Sequence, residues 1–220
     1  MEIHSTEEQQ VEAIKKWWNE NRWSLIGGVA IGIAALVGGR AWVDGQNAYM
    51  ESASSEYLIM QEKMTARKNE EASVHGAQLL GQYSDTPYAS LAALGMAKIK
   101  MDAGDSLAAS SHLRWALDNS SQETVKHEAT LRLSRILLAD KKYSEALALL
   151  NVSETGNYTS DYEQLKGDIY VADGKPELAR TAYTMALKNL SPTASDRARL
   201  QMKLDDLGSN NSVNSIEDVS

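Results

Sequence analysis

The side chains best suited to proton transfer or metal ligation near neutral pH are four histidines, His4, His75, His112 and His127. Their spacing matches no metal-ligand pattern, so solvated or packed imidazoles are the expectation. Two acid pairs, Asp161 with Glu163 and Asp205 with Asp206, have the residue types of general acid–base catalysis. Both pairs fall in charged, helix-patterned surface stretches. The chain has no cysteine, which removes thiol nucleophiles, thiolate zinc sites and a disulfide framework together. It contains no Gly-rich phosphate loop, no serine nucleophile elbow and no His-Glu-x-x-His pair. No catalytic residue, cofactor, metal or small-molecule substrate is expected.

The formal charge of −8 over 220 residues argues against nucleic acid as a partner, because a phosphate-tracking surface must be basic. There is no phenylalanine and there are only three prolines. Ala, Leu, Lys, Glu and Gln abound, and these residues favour helices. An all-α fold follows.

Between Arg22 and Arg40 the residues Trp23 to Gly39 carry no charge. At 1.5 Å per residue that is about 25 Å of helix, and extension to Val43 gives about 31 Å, enough to cross a bilayer core. Trp17, Trp18 and Trp23 stand at one end and Trp42 at the other, where indole rings prefer the membrane interface. A cleaved signal peptide fits poorly, because a tail with five acidic residues precedes the run and no Ala-x-Ala site follows it. Lys15, Lys16 and Arg22 precede the span, against Arg40 alone at its far end. That imbalance predicts a cytoplasmic N-terminus. Gly28 and Gly32, four apart, would allow two spans to pack closely. Before the span, Ser5 to Glu8 has the form of a capping box, and Val11, Ile14, Trp17 and Trp18 recur at helical spacing.

Beyond the span, Tyr49, Ala53, Tyr57, Met60 and Met64 form a stripe that predicts a helix continuing out of the membrane. The stretch from Gly81 to Pro87 breaks the chain. Tight turns are expected at 103–105, 140–142 and 173–176. Gly167, Tyr170, Gly174, Ala179, Tyr183 and Ala186 match a helix–turn–helix repeat of about 34 residues, the tetratricopeptide repeat. The same spacing gives Ala97, Gly104, Ala109, Leu113 and Ala116, then Ser134, Lys141, Ala146, Leu150 and Ser153. The key alanines Ala109, Ala146 and Ala179 are separated by 37 and 33 residues. A plain helical-hairpin bundle is the alternative.

Such hairpins stack because one alone cannot cover its apolar face. The first helix of each pair then lines a concave surface, on which Lys98, Met101, Arg135, Leu138, Asp168 and Val171 are the candidate partner-binding residues. This mixture suits peptide segments. The expected organisation is a tail over 1–22, a transmembrane helix over 23–43, a repeat-like domain over 44–207 and a solvated, disordered tail over 208–220.

The opening Met1-Glu-Ile, then Val11 to Trp18 with its Lys-Lys-Trp-Trp ending, Asn21, a glycine-rich span and degenerate repeats resemble bacterial YfgM proteins over about residues 1–207. The resemblance implies a single-span inner-membrane protein with its N-terminus inside and a periplasmic helical domain. It implies a non-enzymatic ancillary subunit of the SecYEG translocon, passing translocating polypeptides to periplasmic chaperones. A membrane-anchored chaperone of the peptidyl-prolyl isomerase type is the further partner implied. A structural scaffold of an envelope complex, without client binding, is the competing function.

Overall fold

The computed structural model describes residues 7–191 and 195–217, and among them there is helix but no strand. The proposed capping box of Ser5 to Glu8 and His4 fall largely or wholly outside these residues. The chain divides into two compact units, Met1–Ser52 and Ala53–Ser220.

The first unit is the leading part of one long helix, α1, Glu7–Thr65. Its apolar stretch has a mean hydropathy of 1.6, and none of it is buried by the protein. Trp23 is 74 % exposed, Leu36 76 % and Trp42 68 %. A helix apolar on every side with no protein around it is stable in hydrocarbon rather than water. Its length and composition fit a single membrane span. Gly28 and Gly32 lie on open helix surface, where a side-chain Cβ would meet no other group within 4 Å.

The second unit begins with the end of α1 and continues through α2, Asn69–Gln82, and α3, Pro87–Asp102. Helices α4, Ser106–Asn119, α5, Glu123–Ala139, and α6, Tyr143–Leu149, follow. A short 3₁₀ turn at Gly156–Tyr158 leads into α7, Thr159–Ala172, then α8, Pro176–Asn189, and α9, Arg197–Glu217. Helix starts are set locally. Pro87 occupies the first turn of α3, where its missing N–H costs nothing, and the Thr86 hydroxyl accepts from the Ala89 amide. The Asp105 carboxylate accepts from the Ala108 amide at 2.9 Å and opens α4.

The helices pair as hairpins, α3 with α4, α5 with α6 and α7 with α8, and successive hairpins pack on one another. Each hairpin turn uses one device. Gly104, Lys141 and Gly174 have φ of 79°, 61° and 70°. At each, the next residue's amide reaches back to the last turn of the helix: Asp105 to Lys100, Lys142 to Leu137 and Lys175 to Tyr170, at 2.8–2.9 Å. This left-handed cap closes the helix and reverses the chain.

Arg67 does the same between α1 and α2, with φ 59° and the Lys68 amide donating to the Lys63 carbonyl. The end of α1 with α2 is therefore a further hairpin, which the sequence reading did not separate. Its key alanine is Ala72, 37 residues before Ala109. Ala72, Ala109, Ala146 and Ala179 are all fully buried.

Two expectations need correction. Helix α6 stops at Leu149, so Ser153 is exposed and off the helix rather than a packed repeat position. The stretch around it, Asn151 to Gly156, has too many turn formers to extend a helix. Residues 208–217, read as a disordered tail, continue α9. Leu207 is buried near the middle of this helix.

Candidate functional site

The interior of the second unit forms three apolar clusters along the stack. The first gathers Ala53, Met60, Ala72, Leu79 and Met96. The second centres on Ala109, Leu113, Leu133, Ile136 and Tyr162, and the third on Ala179, Tyr183, Ala186 and Leu200. These clusters fix the first helices of the hairpins side by side, α3 against α5 and α5 against α7.

Between α3 and α5 opens a pocket of about 350 Å³. Its floor is Ala97, Met101, Leu113, Ile136 and Ala139, and its polar rim includes Lys98, Arg132, Arg135 and Asp140. A second hollow of about 460 Å³ shares Lys98 and Arg132 and extends toward the end of α1 through Tyr57, Gln61, Met64, Leu91 and Leu94. The two adjoin at Lys98 and Arg132 and together follow the first helices of three hairpins. Lys98 pairs with Asp102 at 2.8 Å, and Arg132 with Glu128 at 2.6 Å. Exposed pairs of this kind contribute roughly 0–1 kcal/mol, so a ligand can recruit either cation at small cost.

Of the six residues expected on this surface, Lys98, Met101 and Arg135 line the pocket. Leu138 instead packs partly buried against the central core, and Val171 is exposed beyond the pocket. Asp168 is engaged elsewhere, accepting from the Tyr183 hydroxyl and from Lys203 of α9, each at 2.6 Å. Burial first, then the hydrogen bond and negative charge of Asp168, push the Tyr183 hydroxyl well above its ordinary pKa. Helix α9 packs against α8 and reaches Asp168 of α7 through Lys203. The sequence reading missed Gln61, Met64 and Arg132. Gln61 and Met64 stand 37 residues before Lys98 and Met101, the same interval that links those two to Arg135 and Leu138. Applied one unit earlier, the interval would have found them.

Several of the side chains with chemical potential have structural partners. His75 Nδ1 lies 2.6 Å from the Glu56 carboxylate. His127 stacks on Tyr158 and shares a 3.0 Å hydrogen bond with the Tyr162 hydroxyl. Burial first and then the charge of Lys100 hold His112 below the ordinary histidine pKa. Glu163 is paired with Lys166, and Asp205 accepts from Gln201. Among the described residues no group of three His, Asp or Glu side chains could hold a metal ion. The groove offers an apolar floor and a polar, mostly cationic rim.

The chain is similar to known proteins along most of its length. The model of the tetratricopeptide repeat-like domain family matches residues 15–209. The ancillary SecYEG translocon subunit of Escherichia coli strain K12 is 30% identical over 209 residues, covering 94% of this chain and 99% of that protein. The protein of the same name from Neisseria gonorrhoeae is 29% identical, covering 94% of this chain and 100% of its own. Among solved structures, MamA 41-end from Desulfovibrio magneticus RS-1 superposes with a TM-score of 0.53 at 17% identity, over 73% of this chain and 96% of that one. That likeness concerns the fold alone. Four hairpins closed by the same left-handed turn, an apolar span ahead of them and near full-length similarity all agree: the chain belongs to the family of ancillary SecYEG translocon subunits, with a tetratricopeptide repeat-like domain.

Proposed function

We propose that the chain is a non-enzymatic ancillary subunit of the SecYEG translocon in the bacterial inner membrane. Its N-terminus lies in the cytoplasm and its hairpin domain in the periplasm. The groove receives segments of translocating polypeptides and helps pass them to periplasmic chaperones, including a membrane-anchored one of the peptidyl-prolyl isomerase type. The observation that carries this reading is the pair of adjoining hollows over α1, α3 and α5, whose apolar floor and charged rim suit weak contact with many extended segments. The names of the relatives support the translocon. The excess of Lys15, Lys16 and Arg22 over Arg40 supports the orientation.

Two measurements test it. A reporter active only outside the cytoplasm, fused after Leu207, should work. Activity of cytoplasmic reporters alone at that position would reverse the orientation. A photoreactive amino acid replacing Met101 should capture translocating chains or the chaperone in cells. One replacing Lys126, which pairs with Glu123 and does not line the groove, should capture fewer. Recovery of the translocon without clients from any groove position would favour a structural scaffold instead.

A further inference from the structure

The side chains that line the pocket carry more positive than negative charge, while the carboxylate partners of two of its cations stand just outside the lining. The chain as a whole carries a formal −8, yet the pocket between α3 and α5 presents Lys98, Arg132 and Arg135 against a single acid, Asp140. Lys98 and Arg132 each have an exposed carboxylate partner on their own helix. Arg135 is exposed and makes no ion pair among the described residues. All three cations border an apolar floor formed by Ala97, Met101, Leu113 and Ile136. A ligand that buries apolar side chains there brings its flanking residues within reach of three cations, in an environment less screened than open water.

We propose that this groove is selective: it prefers segments in which apolar anchors alternate with acidic side chains and disfavours segments in which basic residues flank the same anchors. The selectivity rests on the reading of the groove as a peptide site and adds the chemistry of its preferred occupant. Arg135, with no partner to give up, supplies most of the attraction. Lys98 and Arg132 contribute by exchanging their own helix's carboxylate for the ligand's. A basic segment meets the unpaired Arg135 together with two cations that their own carboxylates offset in part, and like-charge placement is an effective means of rejecting wrong partners.

The test uses the full chain in lipid nanodiscs and a set of short fluorescent peptides. All share one pattern of apolar residues and carry Glu, Gln or Lys at the intervening positions. Their C-termini are amidated, so that no terminal carboxylate contributes. At low salt the Glu peptide should bind about tenfold more tightly than the Lys peptide, with Gln between, the sum expected of a few exposed charge contacts. The advantage should shrink as salt is raised. In the double variant Lys98→Glu, Arg135→Glu the order should reverse. Both positions are solvent-facing, and circular dichroism checks that the helices remain. Should the double variant lose its helices, the salt dependence of the native chain still decides. Equal binding of the Glu and Lys peptides, or a preference indifferent to salt, overturns the selectivity and leaves the groove as an apolar peptide site. Binding of none of the peptides overturns the peptide site itself.

Discussion

The ring of Tyr183 fills the space in which a side chain on Gly167 would stand. The two belong to facing helices of the last hairpin, and the ring is held by its hydroxyl, which donates to Asp168 at 2.6 Å. The first hairpin makes the opposite choice at the equivalent pair. Met60 is the large residue on α1, and Gly76 the small one on α2, where a Cβ would come within 3.2 Å of the Met60 methyl and 2.6 Å of Met96 Sδ. Large and small residues thus trade places between the helices along the stack, and the separation of the helices is kept.

Gly167→Ala should therefore destabilise the domain although alanine favours helices. The added methyl meets a ring that is buried and tethered, so the hairpin must open or the hydrogen bond to Asp168 must break. Overpacking of this kind costs about 1–3 kcal/mol. Chemical denaturation of the full chain measures it, and an unchanged or raised midpoint would show that the ring can move aside.

The assignment of a first hairpin to the end of α1 and α2 rests on Ala72 standing where Ala109, Ala146 and Ala179 stand. Ala72→Leu and Ala179→Leu should each overpack a helix crossing and lower stability by about 1–3 kcal/mol. A loss at Ala179 with none at Ala72 would mean that α2 merely leans on the stack. Because the two alanines lie in separate apolar clusters, the losses should add in the double variant.

How much was legible depended on which residue types carried each feature. The turns at Gly104 and Gly174 were plain, because glycine is the residue that takes positive φ without cost. The turn at Lys141 was marked by the Asp140-Lys-Lys run, whereas the turn at Arg67, in Thr65-Ala-Arg-Lys with neither glycine nor aspartate, was hidden. The last two repeats showed a small residue, Ser134 or Gly167, on their first helix, while the first repeat places Met60 there, so the pattern looked absent. In the groove, Lys98, Met101 and Arg135 were found from repeat spacing alone. Asp168 failed because its fate depends on Lys203, 35 residues away on a helix with no repeat spacing. Local spacing predicts which face a residue occupies, and it cannot predict which distant side chain arrives to cover it.

The half-buried His112 gives the domain an acid-side weakness. Burial, reinforced by Lys100, disfavours the imidazolium in the folded state, while Asp105 opposes this only in part. The folded pKa is thus below the unfolded one, so the stabilising contribution is complete above the ordinary histidine value of 6.5. As pH falls through that value toward the lowered one, the unfolded chain takes up a proton that the folded chain resists, and stability is lost. His112→Gln should flatten this slope. Denaturation midpoints on both sides of the window, for the native chain and the variant, decide the matter, and parallel pH profiles would sink the assignment.

Ser134 is fully buried, and among the described residues its hydroxyl has no hydrogen-bond partner. It occupies on α5 the place that Ala97 holds on α3 and Gly167 on α7, 37 residues after the one and 33 before the other. A small side chain is required there by the helix crossing, and a polar one is not. A buried hydroxyl without a partner loses its hydration and receives nothing in return, a cost of roughly 1–3 kcal/mol. Removing it restores the character of Ala97 and improves helix propensity slightly. Ser134→Ala should therefore stabilise the domain by about 1 kcal/mol and raise its melting temperature by about 2–4 °C. Arg135 follows directly and faces the groove, so the same variant separates stability from binding. If Ser134 only fills space, photocapture from Met101 should be unchanged while the melting temperature rises. A fall in stability would mean that the hydroxyl is bonded in solution. A rise accompanied by lost capture would mean that slight looseness at this crossing is what lets the groove adapt to its clients.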